Sequence, residues 1–188
     1  MRTIWLARHG ETDWNAAGRL QGHTDTELND AGREQARRLA ASLRDAGITA
    51  VWASDLSRAR QTGAIVASAL GLPAPETDRD LRERAFGVFE GLTRDECAAR
   101  HPDAWRAWLS QTDAPPGGEA REAASARMMR VLSRLAAGDG GAALVISHGG
   151  VMRLWLMELL GPEVPLIGNG TTYLVEHDGV VFRARRSG

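Results

Sequence analysis

Apolar residues along the chain fall into short runs that end in polar clusters. The runs are separated by stretches where apolar positions recur every three or four residues. Thr3 to Ala7 stops abruptly at Arg8-His9-Gly10, Ile48 to Ala53 stops at Ser54-Asp55, and Ala142 to Ile146 stops at Ser147-His148-Gly149. Short runs bounded in this way predict buried strands. Between them, Ala36, Leu39, Ala40 and Leu43 stand at helical spacing and predict a helix that starts near Asn29 or Asp30 and ends at Gly47. A second helix is predicted from about Ser57 to Leu70, stopped by Gly71 and Pro73. A third is predicted over roughly 119–137, with Ala123, Ala126, Arg127, Val131, Leu132 and Leu135 along it, and Val151 to Leu160 reads as a fourth.

The remaining stretches are shorter. Helices are expected at 93–101 and 103–110, broken by Pro102, with Trp105, Trp108 and Leu109 packing as one face. Pro115-Pro116-Gly117-Gly118 closes this insertion-like segment. Thr171 to Val175 and Val180 to Arg183, joined by His177-Asp178-Gly179, read as an edge hairpin. Strands alternating with helices imply an α/β fold: a three-layer α/β/α sandwich with a mainly parallel central sheet. The expectation is one domain over 1–188, with 79–118 as a small helical insertion covering a crevice. In such folds ligands bind at the carboxyl ends of the strands. That topology brings His9, Arg58 and His148 together.

Composition narrows the partners. A chain of 188 residues with 43% hydrophobic and 25% charged content fits one globular domain. The formal net charge of −1 gives no reason to expect nucleic acid or a membrane surface as partner. No apolar run approaches the roughly 18 residues of a membrane span, so a soluble cytoplasmic protein is expected. Cys97 is the only cysteine, which excludes an intrachain disulfide and a thiolate metal cluster. Arginine dominates the cations, so an anion site here is expected to be built from guanidinium groups.

An imidazole beside a guanidinium at a strand end suits a phosphate. Arg8 and Arg58 can pair with nonbridging oxygens, and Asn15 can add a neutral donor. Arg58 also fits the first turn of its helix better with a phosphate at that amino end, although a solvated arginine reads equally well there. Of the two histidines, His9 suits the nucleophile, because a carbonyl in the tight turn can hold its Nδ1–H and aim Nε2. His148 suits a donor to phosphoryl oxygens. The leaving alkoxide needs a proton and the attacking water needs a base, and one carboxyl group with a raised pKa can serve both. Glu83 is the choice for that role. Arg82-Glu83-Arg84 reads equally as a solvated charge cluster, and Glu11 is a competing carboxylate better suited to a structural bond.

Several motifs together resemble the histidine phosphatase superfamily, the phosphoglycerate mutase-like group. They are Arg8-His9-Gly10-Glu11-Thr12 with Trp14-Asn15, then Gly18-Arg19, Gln21-Gly22 and Asp25. Ala53 to Ala59 with Gln61-Thr62, the stretch Leu81 to Gly91, and Ser147-His148-Gly149 complete the pattern. The resemblance implies metal-independent phosphoryl transfer through a phosphohistidine at His9. It places Arg8, Arg58 and His148 in the phosphate pocket, Asn15 near it, and the acid–base role at Glu83. Substrate-binding residues are then expected to be Arg8, Asn15, Gln21, Gly22, Arg58, Arg82, His148 and Gly149, with no metal and no cofactor. Phe89, Glu27 and Ala120 depart from the pattern, and the last of these bears on a substrate or phosphate donor rather than on the reaction.

The loop Gly18 to Gly22 and the compact region after Glu83 resemble the phosphatase branch. A hydrolase of a small phosphate ester is therefore expected. Mutase-type transfer and a non-catalytic phospholigand-binding module are the alternatives. No G-x-G-x-x-G opens a helix after the first strand, which disfavours a nucleotide-binding oxidoreductase. Trp14, Arg19, Leu20, Gln21, His23 and Arg82 are expected to line the mouth. His23, His101 and His177 are read as loop or surface residues, and the terminal hairpin offers a surface for a homodimer.

Overall fold

The computed structural model describes residues 1–110 and 112–187; Gln111 and Gly188 lie outside the described residues. Six strands form one sheet: β1 (Arg2–Arg8), β2 (Ile48–Ser54), β3 (Glu76–Asp78), β4 (Ala142–Ser147), β5 (Thr172–His177) and β6 (Phe182–Arg186). Their order is β3-β2-β4-β1-β5-β6, with the first four parallel and the last two antiparallel. Among the described residues seven helices surround it: α1 (Asp13–Ala16), α2 (Asp30–Ser42), α3 (Ser57–Ala69), α4 (Arg94–Arg100), α5 (Pro102–Leu109), α6 (Arg121–Ala136) and α7 (Gly149–Leu160). Two short 3-10 turns, Arg79–Leu81 and Gly87–Phe89, lie between β3 and α4. No helix among the described residues is long and apolar enough to cross a membrane.

Side chains alternate across the sheet and divide the core in two. Ile4 and Leu6 of β1 and Val145 of β4 pack with Met128 and Leu132 of α6 and with Trp155 of α7. Ala7, Leu144 and Ile146 point the other way, against Leu39 of α2 and Val66 of α3. Fully burying one such Leu or Ile stabilises by roughly 1.5–3 kcal/mol, so both layers hold the sheet firmly. A third cluster, formed by Phe86, Phe89, Cys97 and Trp105, seats α4 and α5.

The sandwich and the hairpin follow the sequence pattern, with instructive departures. The edge strand β3 was not expected; three residues carry too little periodicity to be read. Helix α2 stops at Ser42 rather than Gly47, because Leu43 already leaves the helical backbone and a turn carries the chain to Gly47 at φ +66°. The buried stripe of α6 runs through Ala124, Ser125, Met128, Val131, Leu132 and Leu135, while Ala123 and Ala126 face solvent. Alanine is too small to mark the face. Leu109 is 53% exposed rather than packed with the tryptophans, whereas Trp105 and Trp108 stack at 4.8 Å.

What aligns the strand ends is the β1–β4 register. Arg8 pairs with Ser147, and the His9 amide donates to the Ser147 carbonyl at 3.0 Å, so the ladder runs on until His9 stands beside His148. The turn after β1 then lies directly on the amino end of α2. A Cβ added at Gly10 meets the Gly32 carbonyl, and one added at Gly32 meets the Glu11 backbone. Gly32→Ala gains up to about 1 kcal/mol of helix propensity. It also drives a methyl into backbone, a class of change that costs roughly 1–3 kcal/mol or more. The clash is expected to win. Urea unfolding should show net destabilisation; a more stable Gly32→Ala would contradict this close approach.

Candidate active site

Strand ends, helix starts and two loops meet around a cavity of about 510 Å³. His9 is 2% exposed, and its Nδ1–H donates to the Gly10 carbonyl at 2.6 Å. That bond leaves Nε2 as the ring's lone-pair atom. Gly10 is itself fixed, because its amide donates to Thr62 Oγ1 at 3.0 Å, and that hydroxyl donates to the Arg58 carbonyl at 2.7 Å. The first turn of α3 thereby orients the imidazole at the end of β1. Asn169 adds a second brace, donating from Nδ2 to the His9 carbonyl and to Asn15 Oδ1.

His148, fully buried, is the N-cap of α7. Its Nδ1 accepts from Arg58 Nε at 3.2 Å, so in the neutral ring the proton sits on Nε2, which has no hydrogen-bond partner. The two imidazole centroids are 5.0 Å apart. Burial lowers both histidines well below their ordinary pKa, and the neighbouring charges of Arg8 and Arg58 push the same way.

Arg58 is 1% exposed and held at all three nitrogens: besides the bond from Nε to His148, Nη1 donates to the Thr24 carbonyl and Nη2 to the Gly22 carbonyl, which leaves one N–H on each Nη. Burial lowers it to about 10, so it stays charged at neutral pH. Arg8 donates from Nη1 to the Ile167 carbonyl at 2.6 Å, while its buried Nε has no partner. Gly149 is pressed between them: a Cβ there would sit 3.1 Å from the Ile167 oxygen and 3.2 Å from Arg8 Nε.

Glu83, 8% exposed, reaches the amino end of α7. Oε1 accepts from the amides of Arg84 and Val151, and Oε2 from that of Gly150, each at 2.8 Å. The carboxyl group is thus held by three backbone amides rather than standing in a solvated charge cluster. Oε1 carries two bonds and Oε2 one, which leaves Oε2 with the free lone pair. Asn15 and Gln21 present their amide ends to the same cavity, since Asn15 Oδ1 accepts from Thr12 and Gln21 Oε1 from Thr12 and Thr26. Gly22 lines it too.

The cavity wall thus includes every expected site residue but two: His148 lies behind it, its ring centred 5.0 Å from that of His9, and Arg82 points elsewhere. Arg82 does not line it because its Nε and Nη2 form a bidentate pair with Asp55, the residue after β2, at 2.7 Å. Trp14 and His23 are likewise absent from the mouth, whereas Arg19, Leu20 and Gln21 are there. His23 is no idle loop residue: its Nε2 meets the Glu83 carbonyl at 2.8 Å. Glu11 accepts from Asn29 Nδ2, the structural bond expected of it.

Sequence reasoning missed the braces behind Glu83. Arg127, 7% exposed, donates to the carbonyls of Asp80, Arg82 and Glu83 and forms a two-bond pair with Glu119. Glu90 accepts from the amides of His23, Thr24 and Phe86, tying the 21–24 loop to the turn after Glu83. Arg127 had left a signal, a charged residue in phase with Val131 and Leu135 on a buried stripe.

A family model described as histidine phosphatase superfamily (branch 1) matches residues 4–186. Phosphoglycerate mutase-like protein 4 of Arabidopsis thaliana is 44% identical over 157 residues, covering 80% of this chain and 67% of that protein. Metal-independent phosphoserine phosphatase from the same plant is 39% identical over 155 residues, covering 80% and 65%. The chain therefore spans about two thirds of the length of these two relatives. A solved mycobacterial glucosyl-3-phosphoglycerate phosphatase superposes with a TM-score of 0.88 at 32% identity, covering 100% of this chain and 98% of that one.

The buried imidazoles carry a pH signature. A histidine whose folded pKa lies below its unfolded value binds fewer protons folded than unfolded, so its contribution is intact above the unfolded pKa and lost as pH falls. Stability should therefore decline below about pH 6.5, by up to roughly 1.4 kcal/mol per pH unit for each such ring. His148→Gln is expected to remove about half of that slope, read from urea unfolding between about pH 5 and 8. An unchanged slope would contradict a neutral, buried His148.

Proposed function

The chain belongs to the histidine phosphatase superfamily, and from that premise we propose that it hydrolyses a small phosphomonoester through a phosphohistidine on His9. One observation carries the reading. The Nδ1 of His9 is locked to Gly10 while its ring lines a cavity with Arg8, Arg58 and, among the described residues, a single carboxyl group, and the His148 ring, whose Nε2 has no partner, is centred 5.0 Å from it. The other donors that line this space are guanidinium and amide groups, which suit a phosphoryl dianion. The 79–118 segment contributes Glu83, Arg94, Trp108 and Leu109 to the cavity wall, which supports its part as a cover within one domain.

In the first step the Nε2 lone pair of His9 attacks phosphorus and the P–O ester bond breaks. Glu83, entering protonated, gives its proton to the departing alkoxide; Oε2, with its free lone pair, is the oxygen suited to carry it. Arg8, Arg58 and the Nε2–H of His148 balance charge on the equatorial oxygens. In the second step Glu83 takes a proton from water as the water oxygen attacks phosphorus. The P–N bond breaks, its electron pair returns to His9, and orthophosphate leaves with Glu83 protonated again. Each of the two imidazoles has its task matched by tautomer: a lone pair on one, a donor on the other.

Mutase-type transfer uses the same first step, and the name of the mutase-like relative keeps it as the competing outcome. A product assay in EDTA on a panel of phosphomonoesters separates the two, with free phosphate and positional isomers measured apart. Phosphate without isomers is expected; isomers with little phosphate would assign a mutase. In the same assay Glu83→Gln should slow alkyl esters by about 10²–10⁴-fold, and aryl esters with good leaving groups much less. Equal losses on both classes would remove Glu83 from the acid role.

A further inference from the structure

The stretch between α7 and β5 does more than connect them. Its Ile167 carbonyl holds Arg8 Nη1, its Thr171 carbonyl accepts from the Arg8 amide, and its Gly170 amide donates to the Arg8 carbonyl at 3.2 Å. The β1–β5 pairing ends at Ala7 and Thr172, so these backbone bonds carry it one residue farther. Asn169 takes the next acceptor: its Nδ2 donates to the His9 carbonyl at 3.0 Å. The Thr171 amide closes a turn on the Gly168 carbonyl, and Gly170 at φ +71° supplies the left-handed third residue of that turn.

The same nitrogen has a second acceptor, Asn15 Oδ1 at 3.2 Å. That oxygen also accepts from the Thr12 amide at 3.2 Å, closing a capping box on α1. Chemistry forces these atom identities: a backbone amide only donates and a backbone carbonyl only accepts. Oδ1 of Asn15 must therefore face Thr12, and Nδ2 of Asn169 must face His9. Helix α1 has only four residues, and one turn gains little from a cap. What the box fixes is the Asn15 side chain. With Oδ1 held from two sides, Nδ2 is the end left over; it has no hydrogen-bond partner among the described residues, and Asn15 lines the cavity. Half a rotation of that amide would set its nitrogen against two donors and present an oxygen to the cavity, where it would repel an anion.

We propose that Asn169 is a positioning residue: it fixes which end of Asn15 meets the phosphoryl group, while the same nitrogen holds the peptide that carries the nucleophile. The His9–Gly10 peptide is gripped at both ends, its carbonyl by Asn169 and its amide by Thr62 Oγ1. Asn169 itself does not line the cavity, so its effect on a bound anion passes through Asn15. This rests on the phosphatase reading for the identity of the anion. It adds a residue that lies outside every sequence motif of the site.

A double-mutant cycle tests this, with wild type, Asn169→Ala, Asn15→Ala and the double variant each titrated with inorganic phosphate by calorimetry. Asn169→Ala should weaken phosphate by about tenfold in the wild type and by less than about twofold in Asn15→Ala. A role confined to holding the fold would weaken phosphate by the same factor in both backgrounds and lower the urea midpoint with it. Equal factors, or no effect of Asn169→Ala, would overturn the proposal, as would a wild type that binds no phosphate. Asn169→Ser, a smaller change, carries the cycle where Asn169→Ala does not fold. Turnover separates this proposal from the reading it rests on. Coupled phosphate binding in a chain that releases phosphate from no ester would support the positioning role and overturn the phosphatase reading alone. Turnover with uncoupled binding would do the reverse.

Discussion

Two guanidinium groups drawn out of water, Arg8 at the end of β1 and Arg58 in the first turn of α3, are the constraint on which the rest of the site depends. An unpaired buried ion costs several kcal/mol even after relaxation, and only one carboxylate, Glu83, faces Arg8 and Arg58 in the cavity. The fold meets the cost with fixed dipoles. Arg58 is held by two carbonyls and an imidazole nitrogen, and Arg8 by the Ile167 carbonyl. Both histidines remain neutral beside them. A phosphoryl dianion is the counter-charge this arrangement matches, and the same field that favours it keeps the His9 lone pair available for attack.

Holding dipoles in place requires a rigid surround, and the long-range hydrogen bonds supply it. The 21–24 loop gives carbonyls to Arg58 on one side and amides to Glu90 on the other. Arg127 gathers three carbonyls of the turn that carries Glu83, and Ser147 Oγ ties that turn to the end of β4 through the Leu81 carbonyl at 2.8 Å. Bonds to charged groups are worth about 1.5–3 kcal/mol each, against about 1 for neutral ones. Arg127 and Glu90 thus weigh more in positioning Glu83 than their distance from the reacting atoms suggests.

Much of this was legible in the chain. Strands that end in Arg-His-Gly and Ser-His-Gly announce both the sheet and the crevice, because a buried apolar run that stops at ionisable residues has a local physical meaning. The tautomer of His9 followed from the tightness of its turn. Arg82 and Arg84 show the limit. They are neighbours of one type flanking the same glutamate, yet one pairs with Asp55 and the other faces the cavity. Which way each points is decided by a turn pinned through Arg127 and Glu119, residues some 35–45 positions away. No local pattern carries that. His23 is the loop residue expected, but it turns from the mouth for the same reason, since its partner, the Glu83 carbonyl, lies 60 residues off.

The central claim is that His9 Nε2 becomes covalently phosphorylated while Nδ1 stays bonded to Gly10. Rapid acid-free quenching during turnover of a phosphate-labelled ester, followed by peptide mapping, tests it directly. The account predicts an acid-labile, alkali-stable phosphoryl group on His9, attached at Nε2 and absent from His9→Ala. Label on His148, label at Nδ1, or full turnover by His9→Ala would contradict it.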